Sequence, residues 1–142
     1  FLMASATAGA AQDRVVAYEI VNGREIPDSL SGQPGDAEAG RKLYFDRALT
    51  GCSGCHGSPG GPGAEAGSET ADAPPLTGLS ARMSAGAMRL WLVAPQILQA
   101  GGGMPGYYTL GQRSDPTDPR YGETRLSAQE IEDIVAYLMM NR

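Results

Sequence analysis

The stretch Gly51-Cys52-Ser53-Gly54-Cys55-His56-Gly57 holds both cysteines and the only histidine of a 142-residue chain. No other feature constrains the fold so strongly. All the soft ligands lie within five consecutive positions, and the rest of the chain must be arranged around whatever they bind. The length suits one compact domain with a single core. With 20 Gly and 10 Pro, much of it is expected as loop. A loop-rich domain of this size commonly relies on a metal, cofactor or disulfide for stability.

Four readings of the motif compete. A closed zinc site needs four ligands, and with no further Cys or His it would have to recruit a carboxylate. A thioredoxin-type dithiol opens a helix after a strand. Here a helical pattern precedes the motif and a Gly/Pro-rich loop follows it. A plain disulfide leaves His56 without a role. Covalent c-type haem uses all three residues: the thiols of Cys52 and Cys55 add across the two haem vinyls, and His56 is held beneath the iron as proximal ligand. The expected cofactor is therefore one covalently bound haem c.

A second histidine ligand is excluded within this chain, so the sixth iron position falls to Met, Lys, another group, or stays open. Met3 lies in an N-terminal apolar stretch. Met88 sits on a helix stripe, and Met139 and Met140 close the last helix. Met83 precedes a helix cap and is a weak candidate. Met104 stands in Gly-Gly-Gly-Met-Pro-Gly-Tyr-Tyr, outside any helix pattern. Glycine lets backbone pass close to a flat ligand, and Pro105 fixes the chain beyond the sulfur. Met104 is the expected sixth ligand. Its thioether favours reduced iron and raises the potential.

Residues 1–11 read as the end of a secretory signal, with Ala8-Gly9-Ala10 as the cleavage site. Export to the periplasm agrees with c-type maturation outside the bacterial cytoplasm and with an oxidising compartment. Residues 12–35 read as an extended arm in which VVAYEIV forms a short strand or extended stretch. The main domain is assigned to residues 36–142. Its first helix is expected over 37–47 with Asp36 as N-cap. A second is expected over 85–94 with Ser84 as cap, Pro95 at its end and Met88, Trp91 and Leu92 as its apolar face. The last starts at a capping box, Ser127 with Glu130, and buries Ile131, Ile134, Val135 and Leu138. Glu130, Glu132 and Asp133 read as a solvated helix face. The net charge is −5, and Lys42 is the sole Lys among eleven basic residues. With no basic run, a nucleic-acid partner is not expected. No apolar run reaches the ~20 residues of a membrane span.

The first helix, Cys52-x-x-Cys55-His56, Pro74-Pro75-Leu76, Met104-Pro105 and a terminal helix carrying IVAYL resemble a class I cytochrome c over about residues 36–141. The resemblance implies a mainly α fold, with small helices and long loops around one covalent haem. It implies that the first and last helices cross, Gly40 and Tyr44 meeting the region of Tyr137. It also implies that a proline carbonyl, Pro74 or Pro75 with Pro75 favoured, accepts the proximal imidazole N–H. Such a bond orients the ring and raises its basicity.

GDAEAGRKLYFDR, APPLTGLSARMS, MPGYY and LSAQEIEDIVAYLM are further similar to the X subunits of bacterial sulfur-oxidising (Sox) systems. That likeness implies a heterodimer with a SoxA-like c-type cytochrome. A SoxYZ-like carrier protein and a small cytochrome acceptor would be more transient partners. The complex would couple thiosulfate oxidatively to a carrier cysteine, a cysteine S-thiosulfotransfer in which this chain accepts electrons and no catalytic residue is assigned to it. Trp91, Tyr107 and Tyr108 would bury the haem. The alternatives are a stand-alone cytochrome, the haem subunit of another dehydrogenase such as a sulfite dehydrogenase, and a ligand-binding haem sensor or enzyme.

Overall fold

The computed structural model describes residues 15–59 and 73–141; the expected signal remnant and most of the Gly/Pro-rich loop after the motif lie outside them. The order is α1 (Ala37–Phe45), α2 (Cys52–His56), a 3-10 turn (Leu79–Ala81), α3 (Ala85–Val93), α4 (Pro95–Leu98) and α5 (Ala128–Met139). Among the described residues there is no strand, only an isolated antiparallel bridge between Val21 and Glu25. The apolar VVAYEIV stretch is thus extended rather than sheet-forming.

Asp36 caps α1 by accepting from Glu38 N and Ala39 N at 2.9 and 3.2 Å, supplying two of the orphan donors of a helix start. The helix stops at Phe45, short of the expected Arg47. Asp46 ends it: its carboxylate accepts from Ala48 N and Leu49 N and so offers the backbone a turn in place of another helical residue. Ser84 caps α3 through Ala87 N at 3.1 Å. Ala94, outside the helical region as residues before proline tend to be, separates α3 from α4, which Pro95 opens. The Ser127–Glu130 capping box is fully formed at α5.

α1 crosses α5 at glycine. A Cβ on Gly40 would collide with the carbonyl of Asp133, and one on Gly35 with that of Glu132. The absent side chains let the backbones touch. Tyr44 then reaches Tyr137, ring centroids 5.4 Å apart. Ile131, Ile134, Val135 and Leu138 form the buried stripe of α5 as the spacing predicts.

Two of the three acidic residues of α5 are not a solvated face. Glu132 and Asp133 are buried. Glu132 pairs with buried Arg89 of α3 at 2.7 and 2.9 Å and accepts from Leu30 N at 2.9 Å. Arg89 also donates to the carbonyls of Ile26 and Pro27. Asp133 accepts from Asp36 N and Gln129 Nε2. These carboxylates are therefore the knot that ties the arm, α1 and α3 to α5. With Ile26 and Leu30 buried in the core, the arm is part of the packed structure. No helix among the described residues is long and apolar enough to cross a membrane.

Candidate functional site

α2 is a short helical turn set between two glycines with positive φ. Gly51 precedes it at φ 67° and Gly57 ends it at φ 68°, conformations that side chains other than glycine resist. Within the turn Cys52, Cys55 and His56 stand at i, i+3 and i+4, the spacing that places side chains on one face. Cys52 is buried and Cys55 exposed, and the two are not joined in a disulfide. Burial pushes the Cys52 thiol up, with Thr50 and Tyr107 acting in the opposite direction.

His56 Nδ1 lies 2.8 Å from the carbonyl oxygen of Pro74. An N–H on Nδ1 donating to that carbonyl would leave Nε2 as the nitrogen turned to a metal. The favoured Pro75 is not the partner. Its carbonyl accepts instead from Arg82 Nη2 at 3.2 Å, and the same nitrogen donates to Thr77 O. Arg82 thereby ties Pro75 and Thr77 together, while the neighbouring Pro74 carbonyl meets His56.

Three hydroxyls anchor the turn. Tyr44 of α1 donates to Gly57 O at 2.7 Å. Thr50 Oγ1 donates to Leu43 O at 2.6 Å, and Tyr107 donates to Thr50 O at 2.6 Å. Both tyrosines are held well above the ordinary tyrosine range, chiefly by burial, so both hydroxyls keep their donor proton at neutral pH. These anchors were not apparent in the sequence. The only local signal was a tyrosine pair beside Met104, which read as packing.

Met104 is half-buried and packs against the core. The chain just beyond it is tightly fixed. A Cβ on Gly106 would lie 2.8 Å from Val93 O, so glycine is needed for this approach to α3. Tyr107 N donates to Leu92 O at 2.9 Å, and Leu126 N donates to Tyr107 O at 3.0 Å. Gln112 Nε2 donates to Gly106 O at 2.6 Å. Tyr107 and Tyr108 are buried, Tyr108 against the arm, whose Val16 N donates to its hydroxyl at 2.9 Å. Trp91 is only half-buried; it lines a cavity of about 480 Å³ with Arg24, Arg82, Met83, Ile97 and Leu98.

The donors fit covalent haem: two thiols and an imidazole on one short helical turn, with a thioether on a separately anchored loop. Among the described residues, no group of three or more His, Cys, Asp and Glu side chains is placed to hold a bare metal ion. The cytochrome c family pattern matches residues 37–141. The chain belongs to the cytochrome c family. Members carry covalently bound haem c and transfer electrons, and this cytochrome's fold is of class I. Its structure is similar to a chain of the crystal structure of SoxXA from P. pantotrophus, with a TM-score of 0.68 and 28% sequence identity. The match covers 92% of this chain and 99% of that one. No curated protein matches the sequence.

Proposed function

We propose that this cytochrome is the electron-accepting subunit of a periplasmic, SoxXA-like heterodimer. The observation that carries the proposal is the similarity to a SoxXA chain along 92% of this chain and 99% of that one. A likeness confined to the haem domain would support only a generic cytochrome. The partner would be a SoxA-like c-type cytochrome. Together they would couple thiosulfate to the cysteine of a SoxYZ-like carrier, and a small cytochrome would accept the electrons.

Haem supplies a one-electron redox centre when bound. In this reading Cys52 and Cys55 attach it as thioethers. His56 is the proximal ligand, held by Pro74 O, and Met104 is the sixth. The Pro74 hydrogen bond supports this by orienting the imidazole and strengthening it as a donor. Met104 contributes a soft neutral ligand that favours the reduced state. Were His56 and Met104 both to hold the iron, no position would be left for substrate, which would suit electron transfer and leave the sulfur chemistry to the partner.

Purification from the native periplasm at low salt, with mass spectrometry of what co-elutes, tests the proposal. A stoichiometric second c-type cytochrome, reduced together with this one by thiosulfate and carrier protein, is expected. A lone monomer or a molybdenum-containing partner would assign the chain to another oxidation.

A further inference from the structure

Tyr107 belongs to two parts of the site at once. It lies three residues after Met104, on the loop that presents the thioether. Its hydroxyl donates to the carbonyl of Thr50, two residues before Cys52, at 2.6 Å. Its backbone is held at both ends, through N–H to Leu92 O and through O from Leu126 N. The ring is almost wholly buried, with 3% of its surface exposed. One side chain therefore spans from the methionine loop to the turn that carries both cysteines and the histidine.

We propose that Tyr107 is a positioning residue that latches the Met104 loop to the haem-attachment turn and so controls how often the methionine leaves the iron. The inference rests on the assignment of Met104 as sixth ligand. Swinging Met104 away moves the loop that carries Tyr107. In the proposed opening Tyr107 leaves its places on Leu92, Leu126 and Thr50 together with the loop, so that its hydroxyl's hydrogen bond to Thr50 O belongs to the closed, ligated arrangement. Thr50 is itself fixed, because its side chain donates to the carbonyls of Leu43 and Asp46. The latch thus closes onto a rigid post and cannot follow the loop outward. A phenylalanine at position 107 keeps the buried ring and its packing. It removes only the hydroxyl, which bonds the Thr50 carbonyl and also interacts with the Cys52 sulfur, and it leaves the Thr50 carbonyl without that donor in the closed form.

The test uses the holoprotein and reads methionine release directly. Ferric protein is mixed with imidazole, and the disappearance of the sulfur–iron charge-transfer band is followed. Ferrous protein is mixed with carbon monoxide in parallel. Tyr107→Phe is expected to speed both reactions roughly three- to tenfold, the factor that one hydrogen bond of ordinary net strength represents. Ser127→Ala is the control. It removes the α5 cap, which lowers global stability without touching the loop or the turn. Its ligand-exchange rates are expected to match the parent's. Met104→Ala separates the inference from its premise. If that variant keeps the charge-transfer band, the ligand assignment fails. If it loses the band while Tyr107→Phe exchanges ligands at the parent's rate, the ligand assignment stands and the latch is refuted. Equal acceleration in Tyr107→Phe and Ser127→Ala also refutes it, because the effect then follows stability alone.

Discussion

Glu132 is a charged residue on the last helix, next to another acid and two positions from a third. A sequence can only read that as a water-facing run. Its partners come from far away in the chain, Arg89 of α3 and the backbone of Leu30 in the arm, and nothing local announces them. Replacing it by alanine leaves Arg89 buried and unpaired. Glu132→Ala is expected to cost ~3–5 kcal/mol, the range for breaking a buried pair from one side, measured as a shift of the urea midpoint. A loss below ~1 kcal/mol would put the pair in the surface class. The same limit applies to Pro74 and Pro75. Two adjacent carbonyls are equivalent in sequence, and only the folded chain shows Pro74 O at His56 and Pro75 O at Arg82. The opposite case is Cys52, Cys55 and His56, whose shared face follows from their spacing alone.

Elements with a local start signal were legible: the capping box of α5, Ser84 before α3 and Asp36 before α1 all act as their residue types predict. The end of α1 was not, because Asp46 chooses between continuing the helix and closing a turn. The arm was legible only as apolar and extended. Its anchorage depends on α3 and α5, which meet it only in the folded chain. The α1–α5 crossing supplies a prediction in which two effects oppose each other. Gly40→Ala gains about 1 kcal/mol of helix propensity. The added Cβ meets the Asp133 carbonyl, a backbone atom that cannot turn aside. The clash should win, and the variant is expected to lose ~3 kcal/mol or more. Thermal unfolding of the holoprotein gives the answer; a more stable variant would show that the helices do not meet at this glycine.

Over the whole molecule, long loops meet short helices and much of the order converges on α2. Cys52→Ala with Cys55→Ala should therefore yield little folded protein, since the covalently held group is expected to complete the core; a cooperative thermal transition without haem would contradict this. The buried tyrosines set a second global property. Tyr44 and Tyr107 have folded values raised above the ordinary tyrosine value of about 10. A raised folded value gives a contribution that is complete below the unfolded value and lost as pH rises past it. Stability is thus expected to hold from neutral pH to about 10 as far as these groups decide it, then to fall. Urea midpoints across that range check the sign.

On the proposed reading the chain carries electrons through haem held between His56 and Met104. A potentiometric titration of Met104→Ala beside the parent protein tests it most directly. The variant should keep its covalent haem and show a potential lower on the order of 0.1 V, within the ~0.8 V that axial ligands span. An unchanged potential with haem intact would mean that Met104 does not bind the iron.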